Sequence, residues 1–379
     1  MEYIYLDHAA TTRVLPQAAQ AAVHVMTEAF GNPSSLHSLG SQAAKEVSAN
    51  RVQVAQALGC QADEVVFTSC GTEGDNWAVA LATHLGRHIG KHIITTAVEH
   101  AAVLEPCKAL AQQGYEITYL RPDAAGRIRL SDLEAALRPD TVLVSMMLVN
   151  NETGAIQPVA QAAQLLRNTR SPALLHTDAV QGFLKIPFTP KELGVDLLTV
   201  SGHKIGAMKG SGAMYLRRGL KAIPLLRGGG QERGLRSGTE ATPQIAAFAA
   251  ACTVGRQSLD QNQDYVKNLK EYTLEKLQAI VPNLTVVSPG DAPHICAISL
   301  PGYPSQVVVR YLSDRGICLS SGSACHRGQA SHVYRAMNLS KGVQEGMLRV
   351  SFAPSNTREE IDRFAQALLA ATQELVSMG

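Results

Sequence analysis

One lysine in this sequence stands where a reactive amine would be expected. Residues 201–204 read Ser-Gly-His-Lys and follow the apolar run 195–200, which predicts a short buried strand that ends at a loop. Ligands collect at the carboxyl ends of strands in α/β sheets. Desolvation there lowers the pKa of a lysine, so that Lys204 could act as a nucleophile toward an aldehyde. Most lysines are solvated surface groups, so the other residues of the chain must decide between these interpretations.

Polar side chains follow several other predicted strands in the same way. Those at or just after a strand end are Thr72, His100, Asn151, Asp178, Ser201, His203 and Lys204. One such residue could be a helix cap or a turn, but a set of seven at one edge of a sheet predicts a binding site.

The elements that must position these residues alternate between strand and helix. Strands are predicted at 64–68, 91–96, 115–120, 141–149, 173–177, 195–200 and 212–216. This alternation predicts an α/β fold whose large domain, residues 14–257, has a mostly parallel seven-stranded sheet covered by helices. A helical stretch at 243–280 leads to a smaller α+β domain, residues 1–13 and 258–379, with strands near 285–287, 294–300, 317–320 and 348–352 and helices at 305–315 and 358–376.

The turn after the first strand of the large domain has the composition of a phosphate site. Gly71 and Thr72 lie between that strand and a predicted helix through about residue 85. The free N–H groups and the positive dipole at such a helix start favour a phosphate. The alternative is that Thr72 simply caps the helix.

These candidates together match the requirements of pyridoxal 5'-phosphate. That cofactor needs a lysine for its aldehyde, an anion for its ring nitrogen, donors for its phosphate and a flat group over its ring. Lys204, Asp178 and His100 can supply the first, second and fourth. Gly71, Thr72, Ser201 and His203 can hold the phosphate. Asp178 could instead be an N-cap and His203 a core residue, but the joint pattern favours the cofactor.

Cys325 is the other candidate nucleophile. It lies in a segment of small residues, 320–328, where a thiol is hard to bury, and His326 and Arg327 next to it give a reason for a lowered pKa and for reactivity. From residue type alone, an incidental surface thiol remains the alternative.

Composition excludes several other classes of protein. The chain has 379 residues, of which 45% are hydrophobic and 17% charged, with a net charge of +2, so nothing favours nucleic acid or an anionic membrane as a partner. Signal-peptide and membrane-spanning patterns are not found, which predicts a cytoplasmic location. The seven cysteines are scattered without a C-x-x-C pair and the histidines have no metal-ligand spacing, so we expect free thiols and no metal site.

The sequence resembles the cysteine desulfurases, class V members of the fold-type-I pyridoxal-phosphate enzymes, over nearly its whole length. The segments that carry this resemblance, in the order of the family, are 5–12, 31–35, 98–100, 149–152, 176–181, 201–204, 228–239 and 320–325. The resemblance implies conversion of L-cysteine to L-alanine, with the sulfur passing to an enzyme cysteine as a persulfide. That sulfur would then serve iron–sulfur cluster assembly or other sulfur-containing biomolecules.

The resemblance also implies a role for each matching residue. Lys204 would bind the cofactor and move protons, Cys325 would attack the substrate sulfur, and His100 would stack on the ring and assist acid–base steps. Asp178 would pair with the ring nitrogen, and Gln181 and Asn151 would contact the ring hydroxyl or the substrate. The phosphate would be held by Gly71, Thr72, Ser201, His203 and, from the partner subunit of a homodimer with shared active sites, Thr239. Arg349 would grip the substrate carboxylate, a task suited to a guanidinium.

Two other functions remain open at this point. A selenocysteine lyase, or a related class V lyase or aminotransferase, would keep the cofactor, and Cys325 would be dispensable or would act in selectivity. A scaffold that binds the cofactor without turnover is disfavoured by the simultaneous presence of Lys204, Asp178, His100, Cys325 and Arg349. The sequence predicts a sulfur-accepting or scaffold protein as partner but does not identify it.

Overall fold

The computed structural model of the protein describes residues 3–321 and 331–377. Its strands are β1 (Ile4–Tyr5), β2 (Val65–Thr68), β3 (His92–Thr96), β4 (Glu116–Leu120), β5 (Thr141–Ser145), β6 (Leu174–Asp178), β7 (Leu197–Ser201), β8 (Gly212–Leu216), β9 (Thr285–Ser288), β10 (Ile295–Ser299), β11 (Ile317–Cys318), β12 (Ser320–Ser321) and β13 (Met347–Ser351). Its helices are α1 (Pro16–Thr27), α2 (Ser38–Leu58), α3 (Gly71–Gly86), α4 (Ala101–Ala111), α5 (Leu130–Ala136), α6 (Val159–Asn168), α7 (Pro190–Leu193), α8 (Thr242–Gln257), α9 (Leu259–Ile280), α10 (Ser305–Ser313), α11 (His332–Ala336), α12 (Lys341–Glu345) and α13 (Arg358–Glu374).

Strands β2 to β8 form the predicted seven-stranded, mostly parallel sheet. Their spatial order is β2-β8-β7-β6-β5-β3-β4, and only β8 runs antiparallel to its neighbours. The carboxyl ends of β2, β3, β5, β6 and β7 therefore lie at one edge. Every residue of β2, β5 and β7 is buried, as expected for strands covered by helices on both faces.

The remaining strands form two smaller sheets. A four-stranded antiparallel sheet has the order β12-β13-β10-β9, and β1 pairs in parallel with β11, with Ile4 opposite Ile317. The N-terminal arm thus joins the C-terminal part of the chain, and Leu6 is fully buried there. The domain boundaries at residues 13/14 and 257/258 stay a prediction.

Three elements differ from the prediction. The strand predicted near 317–320 is divided into β11, which pairs with β1, and β12, which pairs with β13. The strand predicted at 141–149 ends at Ser145, because its ladder to β3 ends at the Thr95–Ser145 pair, although Met146 and Leu148 still donate to β6. The stretch predicted as one helix at 243–280 is divided into α8 and α9 at Ser258, whose hydroxyl donates to the Val254 carbonyl.

Hydrophobicity along the helices gives a separate result. Within the described ranges, no helix combines the length and the apolar character that crossing a membrane requires.

Candidate active site

A cavity of about 420 Å³ opens at the carboxyl edge of the seven-stranded sheet and extends to the four-stranded one. This volume lies in the range of small-molecule sites. The predicted site residues that line it are Gly71, Thr72, His100, Asn151, Asp178, Gln181, Ser201, His203, Lys204 and Arg349. Thr239 is not among its lining residues, and Cys325 lies outside the described residues.

Lys204 ends a single 3-10 turn, Gly202–Lys204, that follows β7 directly. Its Nζ donates to the carbonyls of Ala9 and Ala10, both at 2.8 Å. The backbone N–H and hydroxyl of Thr12 both donate to the carbonyl of His203 at 2.9 Å. The N-terminal arm therefore forms one wall of the site and directs the lysine amine.

Asp178 is buried at the end of β6. Its Oδ1 accepts a hydrogen bond from Val180 N at 2.9 Å, so it closes a local turn and lines the cavity at the same time. Burial raises the pKa of Asp178, while the hydrogen bond from Val180 N and the positive charge of Lys204 oppose that shift. Asp75 lies nearby on α3, and burial, followed by the negative charge of Asp178, raises its pKa well above the ordinary value.

The turn between β2 and α3 has the geometry of an anion site. The helix begins at Gly71, and Cys70 is the N-cap without a side-chain capping bond, so the alternative of an N-cap at Thr72 is wrong. A Cβ on Gly71 would approach Val180 Cγ2 to 3.0 Å, so a larger residue would require the Val180 side chain to move by a few tenths of an ångström. Among the described residues, the buried Ser201 hydroxyl has no hydrogen-bond partner. This hydroxyl and the free N–H groups of the first helical turn are available donors.

His100 is the N-cap of α4. Its Nδ1 accepts from Ala102 N at 3.1 Å, which places the proton of a neutral ring on Nε2. The residue is exposed, and it lines the cavity. Gln181, in contrast, is buried and donates through Nε2 to the Ala9 carbonyl at 2.9 Å.

His203 lines the same cavity as Gly71 and Thr72. Its Nδ1 is 3.2 Å from Thr11 Oγ1, and burial lowers its pKa to about 4, with the charge of Lys204 as the second cause. A neutral ring at physiological pH can offer one N–H to an anion and no charge.

Arg349 comes from β13 in the four-stranded sheet and reaches the same cavity. Its Nη1 donates to the Asn151 carbonyl and its Nη2 to Asp7 Oδ1, both at 2.8 Å. The family resemblance implied that Arg349 belongs to the site, but nothing in the sequence indicates these two partners.

The structure adds acidic residues to the cavity that sequence analysis did not select. Asp7, Asp75 and Glu152 line it, and Glu99 lies buried beside it. Burial raises the pKa of Glu99 to about 8 and that of Glu152 to about 7. Asp7, Glu99 and Glu152 fall inside segments 5–12, 98–100 and 149–152, which carry the family resemblance. That resemblance is the sequence signal that could have identified them.

The Gly- and Arg-rich segment 228–239, whose composition is typical of a flexible surface loop, is held by ion pairs. Glu232 accepts two hydrogen bonds from Arg51 at 2.6 Å and one from Phe67 N at 2.8 Å. Arg236 pairs with Glu73 in the first turn of α3 at 2.9 Å. The segment is thus attached to the first turn of α3 in its own chain.

Comparisons with known proteins agree with this geometry. The family model described as "Aminotransferase class-V" matches residues 4–364. The chain is 42% identical to "Cysteine desulfurase 2" of Trichormus variabilis, covering 99% of this chain and 94% of that protein. It is 40% identical to "Cysteine desulfurase NifS" of Azotobacter vinelandii, covering 96% and 91%. A solved structure named as a NifS-like protein superposes with a TM-score of 0.94 at 34% identity, covering 99% of this chain and all of that one. The chain therefore belongs to the class-V aminotransferase family and, within it, to the cysteine desulfurases.

Proposed function

We propose that the protein converts L-cysteine to L-alanine with pyridoxal 5'-phosphate held at Lys204, and that Cys325 receives the sulfur. One observation carries this proposal: Lys204, Asp178 and Arg349 line a single cavity, together with both described ends of the segment that contains Cys325, Ser321 and Ser331. The class-V family uses this cofactor, and cysteine is the substrate that its desulfurases share.

The residues present fit the cofactor. The carboxyl of Asp178, the amine of Lys204 and the buried hydroxyl of Ser201, which has no partner within the described part of the chain, line a cavity of suitable size. Gly71, Thr72 and His203 would share the phosphate with Ser201, and Gln181 would lie beside the ring. When bound, pyridoxal phosphate supplies an aldehyde carbon for amines and a conjugated ring that takes up electrons from the substrate Cα.

The residues of the chain would each have a defined task. Arg349, already oriented by Asp7 and Asn151, would bind the substrate carboxylate. Lys204 would hold and return protons at its Nζ. Asp178 would accept a hydrogen bond at the bottom of the site, and His100 would cover the opposite side with its Nε2 proton available.

Cys325 is within reach of this cavity by chain length. It is four residues from Ser321 and six from Ser331, which limits the distances between Cα atoms to about 14 and 21 Å. In the transfer, the Cys325 thiolate forms an S–S bond to the substrate sulfur while the substrate C–S bond breaks. The carbon takes a proton, L-alanine leaves and a persulfide stays on the enzyme.

A homodimer with shared active sites belongs to this proposal. Thr239 is not among the residues that line the cavity of its own chain, which supports a role at the site of the partner. Five large apolar side chains between residues 23 and 39 are at least 42% exposed: Val23, Met26, Phe30, Leu36 and Leu39. Such a concentration of exposed apolar surface is typical of a protein interface.

The wider setting is also proposed. The persulfide sulfur would pass to an acceptor or scaffold protein, for iron–sulfur cluster assembly or other sulfur-containing biomolecules, in the cytoplasm. The division into a large domain, 14–257, and a small one, 1–13 with 258–379, rests on the separation of the seven-stranded sheet from the smaller ones.

The test is release of alanine from L-cysteine, with a thiol reductant, by the wild type, Cys325→Ala and Lys204→Ala. We expect both variants to lose activity, and Lys204→Ala also to lose covalent attachment of the cofactor after borohydride reduction. Activity that persists in Cys325→Ala would favour the selenocysteine lyase or a related class V lyase. A wild type without turnover would favour the scaffold.

A further inference from the structure

Glu152 connects the wall of the substrate cavity to the residue that follows the Cys325 segment. The hydroxyl of Ser331 donates to Glu152 Oε1 at 2.8 Å. The same hydroxyl accepts from Val333 N at 3.1 Å and so caps α11. Ser331 is buried, and both residues line the cavity. The N-terminus of α11 is therefore held by a side chain from the loop between β5 and α6.

The loop that carries Glu152 is itself firmly held. Asn150 is fully buried, its Oδ1 accepts from Glu152 N at 3.0 Å and from Thr153 N at 2.9 Å, and its Nδ2 donates to the Val98 carbonyl at 2.9 Å. The carbonyl of Asn151 in turn accepts from Arg349. A group bonded to Glu152 is thus fixed relative to the arginine that would bind the substrate.

The second oxygen of Glu152 belongs to a carboxyl that interacts with the hydroxyl of Tyr334. Among the described residues, Glu152 Oε2 and the Tyr334 hydroxyl are both buried without a hydrogen-bond partner. The two groups are neighbours, since Glu152 is the largest cause after burial of the raised pKa of Tyr334. A hydrogen bond between Oε2 and the Tyr334 hydroxyl would satisfy both atoms and leave Oε1 to accept from Ser331.

The other described end of the Cys325 segment belongs to β12, which pairs with the strand that carries Arg349. Ser320 of β12 pairs directly with Arg349 of β13. Residues 320 and 331 therefore both connect to elements that contact Arg349, one through a strand ladder and the other through a side chain. Removal of the hydrogen bond between Ser331 and Glu152 would therefore release residue 331 and leave the pairing of residue 320 intact.

We propose that Glu152 is a positioning residue for sulfur transfer, which holds Ser331, and with it the C-terminal end of the Cys325 segment, at the substrate cavity. The inference rests on the proposed role of Cys325 and adds a residue to it. Because Arg349 keeps its own partners, substrate binding should change little when Glu152 is altered, and the later sulfur attack should slow.

The experiment compares Glu152→Ala, Glu152→Gln, Ser331→Ala and Ser331→Thr in the cofactor-loaded enzyme. Loss of one hydrogen bond predicts that Glu152→Ala and Ser331→Ala each lower kcat for alanine formation about tenfold with little change in KM. Glu152→Gln keeps the acceptor and Ser331→Thr keeps the hydroxyl, so both should retain most activity. The double variant to alanine should be no slower than either single one.

The measurements separate positioning from folding and from the proposed function. In stopped flow, the absorbance change of the cofactor on mixing with L-cysteine should keep its rate in Glu152→Ala, while persulfide formation slows. Thr357→Ala, which removes a helix cap at α13, is the matched control and should leave kcat unchanged.

Unchanged kcat in both alanine variants, a loss confined to KM, or equal loss in Glu152→Gln would overturn the inference. If Glu152→Ala does not fold, the comparison of Ser331→Ala with Ser331→Thr in kcat and KM decides the question instead. If instead Cys325→Ala keeps wild-type activity, the proposed function fails, whatever the Glu152 variants do.

Discussion

Arg349 and Asp7 lie 342 positions apart in the sequence and meet in the cavity wall, where Arg349 Nη2 donates to Asp7 Oδ1 at 2.8 Å. The N-terminal arm brings Asp7 to this position because β1 pairs with β11, and Asp7 itself bridges to Ser351. The guanidinium is buried and is held on a second side by the Asn151 carbonyl. An orientation fixed in this way reduces the entropy that substrate binding must overcome.

This geometry predicts the effect of Arg349→Lys. A lysine can reach a carboxylate but cannot hold it with two parallel N–H groups while also contacting Asp7. We expect KM for L-cysteine to rise about 10- to 100-fold, since a charged hydrogen bond contributes about 1.5–3 kcal/mol, with kcat much less affected. Steady-state alanine formation measures both constants. Arg315→Lys, at the exposed pair with Glu374, is the control; an unchanged KM in Arg349→Lys would remove this arginine from substrate binding.

Ser201→Ala should separate cofactor binding from stability. The buried Ser201 hydroxyl has no hydrogen-bond partner among the described residues, so its removal should not lower the Tm of the cofactor-free protein. Loss of one donor to the phosphate should weaken cofactor binding about 10-fold or more. Ser299→Ala should lower the Tm and leave cofactor affinity unchanged, because the Ser299 hydroxyl donates to the Val343 carbonyl away from the cavity. Equal cofactor affinity in Ser201→Ala and wild type would exclude Ser201 as a phosphate donor.

Glu99→Gln tests the buried acid beneath the site through pH. Burial raises the pKa of Glu99 to about 8 from an ordinary 4.5, so the unfolded chain ionises first as pH rises and the folded protein loses stability between these two values. Glutamine cannot ionise, and its oxygen can still accept from Thr96 and Met147 as Glu99 does. The Tm advantage of Glu99→Gln should therefore grow from pH 4.5 to pH 8 and then level off. Thermal melts across this range measure it, with the exposed Glu105→Gln as control; a difference independent of pH would contradict a neutral Glu99.

The positions of Lys204 and Asp178 could be predicted because they depend on local patterns. Each stands at or just after the end of a short run that is typical of a buried strand, and parallel strands end at one edge of a sheet. Because the alternation of strands and helices predicts a parallel sheet, the two side chains were expected at the same edge of that sheet. The boundaries of β2, β3, β4 and β8 were predictable to within a residue for the same reason.

The partners of those side chains could not be predicted because they come from distant parts of the chain. Nothing in the pattern around Lys204 indicates that Ala9 and Ala10 would receive its amine, since that contact depends on where an arm of irregular structure crosses the sheet edge. The protonation of Glu99 depends on burial from all sides, which periodicity does not report. The ion pair between Arg51 and Glu232 could not be predicted either, because the glycine-rich composition of segment 228–239 indicates a flexible loop.

The exposed apolar side chains near the N-terminus lead to a prediction about assembly and cofactor together. Phe30 is 64% and Leu36 100% exposed, so replacing both by serine should leave the fold of a single chain intact. If these residues cover a second copy that also supplies Thr239 to the phosphate, the double variant should sediment as a monomer and bind pyridoxal phosphate more weakly. The variant Thr239→Ala should weaken cofactor binding to a similar degree but remain a dimer, because it removes one hydroxyl and no apolar surface. Analytical ultracentrifugation and cofactor titration, on both variants and on Val376→Ser as an exposed apolar control, measure these effects. A monomeric double variant with full cofactor affinity would show that each site is complete within one chain, and a dimeric one would place the interface elsewhere.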